Sequence, residues 1–170
     1  MRPRQDADLP ACVAALATVH EADRYPARWP DDPQAWLTWP EMLGAWVVAA
    51  DGGTVLAHVA LTRPTAEFAQ TFHRPACELA AISRLFVAVP ARGAGWARAL
   101  LSHAAQAATA AGLQPVLEVE SGASAAIALY ERNGWRHVAS TTASWIAPNG
   151  RPAVLRAYTI PVDHHARPGR

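Results

Sequence analysis

Leu85-Phe86-Val87-Ala88-Val89-Pro90-Ala91-Arg92-Gly93-Ala94-Gly95-Trp96-Ala97-Arg98 is the stretch on which the fold of this chain turns. An apolar run passes into a basic turn with two glycines and then into an alanine-rich segment. Strand, glycine turn and helix start, in that order, aim several backbone N–H groups at one point. The helix dipole adds about 0.3–1 kcal/mol for an anion held there. Arg92 places a fixed positive charge beside those amides. The stretch predicts a cradle for a pyrophosphate.

The segment after the turn predicts a helix from about Gly95 to Ala111, because Ala97, Leu100, Leu101, Ala104, Ala105 and Ala108 recur at helical spacing. Gly112 stops it by accepting a left-handed backbone. Pro115-Val116-Leu117-Glu118-Val119 then reads as a strand, which makes the whole a right-handed crossover unit. A P-loop requires Lys-Ser/Thr after the glycines, and none follows. A dinucleotide fingerprint puts Arg98 at its third glycine, where a charged side chain obstructs close helix–strand packing, although Glu118 falls near the ribose-binding spacing. An ordinary strand-to-helix turn stays open as the bland alternative, since short motifs recur by chance.

A third ligand is coenzyme A. The stretch from Leu85 to Leu101 resembles the acyl-CoA signature of the GNAT superfamily of N-acetyltransferases, whose core Arg/Gln-x-x-Gly-x-Gly/Ala is met by Arg92, Gly95 and Ala97. A second block, Ala125-Ala126-Ile127-Ala128-Leu129-Tyr130-Glu131-Arg132-Asn133-Gly134-Trp135, is similar to the family's Ala-x-x-Leu-Tyr-Glu-x-x-Gly-aromatic pattern. Together they cover about residues 80–140. Two departures stand out. Ala123 occupies a position often taken by Asn, with Ser121 and Ser124 nearby as substitutes, and Ala94 replaces the usual basic residue between the loop glycines.

The resemblance implies an α/β (α+β) fold with a mixed, mostly antiparallel sheet of six to seven strands and about four flanking helices. Its central parallel pair, here Leu79–Val89 and Pro115–Val119, splays apart at its ends. Acetyl-CoA is the implied cosubstrate, held by Leu85, Phe86 and Val87 of the strand, by Arg92, Gly93, Ala94, Gly95, Trp96, Ala97 and Arg98 of the loop, and by Ser124. The domain spans 1–162, with 163–170 expected as a flexible tail.

Composition agrees with one domain. The chain has 170 residues, 51% hydrophobic and 17% charged, which suits a packed core and argues against disorder. A net charge of +1 provides no broad field for nucleic acid or an anionic membrane, so neither is an expected partner. Cys12 and Cys77 lie far apart with no metal-type spacing, so free thiols in a reducing compartment and no metal site are expected. Met1 to Asp6 carry no apolar signal core and no run reaches transmembrane length, which points to a cytoplasmic protein. Exposed tryptophans are compatible with a homodimer contact.

Along the chain, Arg2 to Arg4 suit a short edge strand, and Asp8 and Pro10 open a helix running to about His20. Tyr25 to Pro40 is rich in Pro and Trp and has room for a short helix near Gln34–Thr38. Asp51-Gly52-Gly53 joins strands Trp46–Ala50 and Val55–Thr62. Arg63 to Ala76 reads as a polar connection. Pro148-Asn149-Gly150 joins strands Trp135–Ile146 and Ala153–Ile160.

The implied chemistry is direct attack of an amine on a thioester. An amine with pKa near 10.4 needs a base or a desolvating pocket, and the departing thiol, near 8.5, gains from an acid. A backbone N–H near Phe86 or Val87 suits the oxyanion. Tyr130 occupies the family's tyrosine position, often assigned the acid role; simple packing is its alternative. For the base, Glu78 has suitable chemistry, although the family's glutamate often lies later, where this chain has Ala80 and Ala81. Glu118, Glu120, His58 or a water chain are alternatives. Trp29, Trp36 and His58 are the candidate acceptor contacts, with Tyr25, Trp39 and Trp145 in the same expected region; sealing a small core is the competing role for the tryptophans. The expected function is an N-acetyltransferase acting on a primary amine, with a small molecule preferred over a peptide N-terminus or lysine. Its rivals are an acyl-CoA-binding module without turnover and a dinucleotide-dependent oxidoreductase.

Overall fold

The computed structural model describes residues 1–147 and 150–161. The predicted Pro148-Asn149 turn and the 163–170 tail lie outside the described residues. Seven strands, β1 (Arg2–Pro3), β2 (Met42–Ala49), β3 (Val55–Thr62), β4 (Leu79–Val87), β5 (Gln114–Glu120), β6 (Arg136–Ile146) and β7 (Pro152–Thr159), form one sheet in the order β1-β2-β3-β4-β5-β7-β6. Every neighbouring pair is antiparallel except β4 and β5, which run parallel through a helical crossover. The expected mixed sheet with a central parallel pair is therefore present.

Among the described residues five α-helices cover the sheet: α1 (Leu9–Asp23), α2 (Pro33–Leu37), α3 (Ala66–Gln70), α4 (Trp96–Ala110) and α5 (Ser124–Arg132). Helices α4 and α5 bury Leu100, Leu101, Ala104, Ile127 and Tyr130 against Ala80 and Ile82 of β4 and Leu117 of β5. On the other face, α1 and α2 bury Cys12, Leu16, Val19 and Leu37 against Val47 and Phe86. Helix α3 covers Leu79, Ala81 and Val116 on that same face. It lies in what the sequence predicts as a polar connection. Thr65 accepts from the Phe68 amide at 3.1 Å as its cap, and Phe68 and Phe72 pack inward. Other boundaries move by a few residues. Helix α1 runs on to Asp23, β2 begins at Met42, and β4 ends at Val87 because Val89–Ala91 coils into a tight turn around Pro90.

Two local events in β4 shape the centre of the sheet. First, its parallel pairing with β5 runs only from Leu79–Gln114 to Ile82–Leu117, while both strands continue beyond that rung. Second, His58 pairs with Phe86 and Ala60 with Ser83, so three steps of β4 oppose two of β3. That extra residue is a bulge at Arg84, whose φ is +51°. The bulge inverts the alternation of the strand. Ala80 and Ile82 face α4 before it, and Leu85 and Val87 face α4 after it.

Leu117 is 1% exposed and sits in the last shared rung, beneath α4. Truncation of Leu117→Ala is expected to cost about 2–5 kcal/mol, read as a lower urea midpoint with an unchanged m-value.

Candidate active site

The opening between β4 and β5 is bounded by Ser83 and Glu118, the first residues past the last shared rung. On the face covered by α1 and α3 it leads into a hollow of about 340 Å³ lined by Tyr25, Trp39, Arg63, Phe68, Arg84 and Glu118. Parity places Glu118 there: its neighbours Leu117 and Val119 pack toward α4, so its own side chain takes the opposite face. Glu118 stands exposed at the mouth of the hollow, with its acidity lowered by partial burial and then by the charge of Glu67. Tyr25 keeps 36% of its surface open, yet burial of its hydroxyl end pushes it up to about 12, with Arg84 pulling the other way.

The bulge aims Arg84 into this hollow. Its Nε donates to the Trp36 carbonyl, and its guanidinium lies 4.6 Å from the Trp36 ring centre and 5.1 Å from that of Trp39. The backbone at Arg84 is held from behind by His58. Among the described residues His58 is fully buried, with Nδ1 2.9 Å from the Arg84 carbonyl and Nε2 3.1 Å from Nη1 of Arg4. A guanidinium only donates, so Nε2 must accept and Nδ1–H must donate to Arg84. Burial pushes His58 down to about 4, and the nearby Arg4 and Arg84 charges act in the same direction. His58 is thus a neutral brace for the bulge and does not line the hollow.

On the other side of the opening lies the glycine loop. Gly93 and Gly95 adopt φ of +83° and +80°, a backbone that other residues rarely take. None of the amides from Gly93 to Arg98 finds a backbone acceptor among the described residues. Six consecutive donors in the loop and the first turn of α4, with no side chain filling the space at either glycine, fit a pyrophosphate. Arg92, the expected phosphate contact, is paired with Asp23 at the end of α1, at 2.5 Å. Both partners are exposed, so the pair is worth at most about 1 kcal/mol and exchanges readily. Arg98 is exposed on the first turn of α4. Ser124 is exposed at the first position of α5, and Ala123 ahead of it provides no side-chain cap.

Tyr130 lies on the α4–α5 face, 9% exposed, with tilted ring contacts to Trp135 and Tyr158. Burial drives its hydroxyl well above the usual phenol range, and Tyr25 on the opposite face contributes to the same shift. Leu85 and Val87 pack toward α4 beside it, and Phe86 is buried against α1 and stacked on His58.

Glu78 sits at the far end of β4, exposed and bonded to Arg74 at 2.8 Å, five residues before Ser83. The structure does not bring it to the opening. Trp29 packs in the small α1–α2 core against His20, and Trp36 is half-buried beside Tyr25 with Arg84 over its ring. Trp145 is 45% exposed on β6 and does not line the hollow. Sequence reasoning missed Arg84, Arg63 and Ser83. The readable signal was the broken alternation Ile82-x-x-Leu85-x-Val87, which no uninterrupted strand produces.

A parallel pair that parts beyond its last shared rung, with a bare amide loop on one side and an open hollow on the other, agrees with the acyltransferase fold that the sequence resemblance implies. Residues 13–135 match the model of the Acetyltransferase (GNAT) family, and the chain belongs to that family. A search of curated proteins finds no sequence match. Among solved structures, the ribosomal-protein-S18-alanine N-acetyltransferase of Escherichia coli is 19% identical, with a TM-score of 0.68 over 99% of this chain and 97% of that one. YncA of Salmonella typhimurium, solved with its cofactor acetyl-CoA, is 21% identical, with a TM-score of 0.70 over 99% and 96%. A GCN5-related N-acetyltransferase from Kribbella flavida is 22% identical, with a TM-score of 0.70 over 95% and 96%. Among the described residues no helix is long and apolar enough to cross a membrane, and no cluster of metal-ligating side chains occurs.

His58 predicts a specific pH dependence. Its folded value lies below its unfolded 6.5, so its contribution is complete above about pH 6.5 and is lost as pH falls toward 4. The loss amounts to about 3 kcal/mol. Asp8, held at about 2 by Arg2, titrates below that window. Denaturant titrations at pH 7.5 and 4.5 are expected to show this loss in the natural protein and a smaller one in His58→Gln.

Proposed function

We propose that the protein transfers an acetyl group from acetyl-CoA to a primary amine of a small molecule by direct attack. The observation that carries this reading is the opening beyond Ile82 and Leu117, which joins an amide-lined loop to a separate hollow of about 340 Å³. A hollow of that size falls at the lower end of small-molecule sites. Free Cys12 and Cys77 are consistent with our placement of the protein in the reducing cytoplasm.

In this reading the amides of Gly93 to Arg98 receive the pyrophosphate, joined by Arg92 once it leaves Asp23 and by Arg98. Glu118 replaces Glu78 as the base. It stands at the opening, its raised pKa moves a carboxylate toward the working range of a general base, and Glu78 is held away in an ion pair. The Ala88 amide donates to Leu56 at 2.8 Å on the β3 side, so the preceding Val87 amide points toward the opening. That donor suits the oxyanion of the tetrahedral intermediate. Tyr130 stays protonated at neutral pH and is the donor to the departing sulfur; because its acidity is weaker than a thiol's, a hydrogen bond is its main contribution.

Three substitutions test the assignment in a thiol-release assay with an amine panel. Glu118→Gln is expected to lower kcat by about 10²–10³, with acetyl-CoA stabilisation of the fold unchanged. Tyr130→Phe is expected to reduce kcat and leave acetyl-CoA binding intact; equal turnover would remove it from the mechanism. Arg92→Ala is expected to weaken acetyl-CoA binding by about tenfold or more, as loss of one charge-assisted contact implies. If Glu118→Gln turned over at the natural rate while Glu78→Gln did not, the base would be Glu78 after all.

A further inference from the structure

Two guanidiniums line the hollow, and among the described residues neither is in an ion pair with a carboxylate, although Glu118 and Glu67 stand nearby. Arg84 is half-buried on the floor and Arg63 lines the wall, while Glu118 is the single acidic residue in the lining. Ion pairs among the described residues join Arg2 to Asp8, Arg74 to Glu78 and Arg92 to Asp23; neither Arg84 nor Arg63 takes part. Arg63 uses Nη1 on the carbonyls of Cys77 and Leu79, at 2.8 and 3.3 Å. Arg84 uses Nε on Trp36 and Nη1 on Ser83 Oγ at 3.3 Å, and among the described residues its Nη2 has no acceptor and stays open to solvent.

An unpaired, partly desolvated guanidinium is costly to fold around, and this one also sits on a left-handed backbone that arginine disfavours. Everything about it is nevertheless fixed. The bulge sets its direction, His58 holds its carbonyl, and two indole rings hold its plane. A planar fork held in place beside a cavity matches a carboxylate, which it binds through two parallel hydrogen bonds. The walls supplied by Tyr25, Trp39 and Phe68 are aromatic and suit an apolar substituent.

Resting on the acetyl-transfer reading, we infer that the acceptor is an amino acid or a close analogue: its carboxylate docks on Arg84, its amine turns toward Glu118 at the opening, and its side chain lies on the aromatic wall. The acid group provides affinity and orientation at a point separate from the reacting nitrogen. An amine without it forgoes the paired hydrogen bonds to the half-buried Arg84, and is discriminated against for that reason.

The experiment compares matched pairs: L-phenylalanine with phenethylamine and with phenylalaninamide, and L-methionine with 3-(methylthio)propylamine. With acetyl-CoA and thiol release as the readout, the amino acids are expected to show kcat/KM at least 100-fold above their decarboxylated or amidated partners. Arg84→Asn tolerates the left-handed backbone and removes the charge. It is expected to collapse that ratio to below about fivefold, mainly through KM of the amino acid, while Arg84→Lys restores part of it; stabilisation by acetyl-CoA verifies that each variant is folded. Decarboxylated amines acetylated as well as amino acids, or a ratio that survives in Arg84→Asn, would overturn the inference and leave acetyl transfer standing. If nothing in the panel is acetylated, the transfer reading fails by itself, and calorimetric titration with the same amino acids decides the site. Saturable binding lost in Arg84→Asn supports it, and no binding to the natural protein overturns it.

Discussion

The backbone ladder between β4 and β5 stops at Ile82 and Leu117 although both strands go on, and the rest of the molecule is arranged around that interruption. A buried peptide group without a partner is costly, so a sheet does not part at its centre without a cause and without partners for the edges it leaves. The cause lies in one extra residue. The bulge at Arg84 bends β4 and reverses which side chains face which helix, while β5 stays paired with β7 in unbroken register through Glu120. The partners are divided between faces: α4, α5 and Tyr130 on one side, and α1, α3 and the aromatic hollow on the other.

Several local costs converge on the same few residues. Arg84 combines a positive φ with a desolvated charge, and its guanidinium acidity is altered first by burial. His58 is buried neutral to brace it, and the half-buried Arg4 in turn holds His58 while also binding the Leu37 carbonyl at 2.8 Å. That chain of contacts runs from β1 through β3 to β4 and ties the N-terminal strand to the centre of the sheet. Strain and desolvation of this kind persist only where the surrounding packing over-determines them, and here the surrounding packing is the α1–α2 core. The loop on the other side has a different economy of groups: its glycines leave donors bare at the surface, where water satisfies them until an anion arrives.

Much of this was legible from residue order. The glycine turn ahead of an alanine-rich amphipathic helix placed α4 within a residue of its observed start, and Asp51-Gly52-Gly53 located the β2–β3 hairpin. Local signals were strong there because each conformation is dictated by its own residues. Helix α3 was not legible, since Phe68, Ala69 and Phe72 become an apolar face only when Leu79, Ala81 and Val116 are beneath them. The residues around the hollow were the least legible. Histidine and tryptophan attract attention by type, yet His58 and Trp29 are structural, and Glu78 has the right chemistry at the wrong end of its strand. Arg84 and Glu118 acquire their meaning from a bulge and from strand parity, which are properties of pairing and not of any one segment.

The central claim is that the loop ahead of α4 holds the pyrophosphate of acetyl-CoA while the parted strands admit its acyl arm. A thermal-shift titration with acetyl-CoA, CoA and NAD tests it most directly. Acetyl-CoA and CoA at about 100 times their dissociation constants should each stabilise the fold by roughly 2.7 kcal/mol, with NAD having no effect. Stabilisation by NAD alone, or by none of the three, would contradict the account.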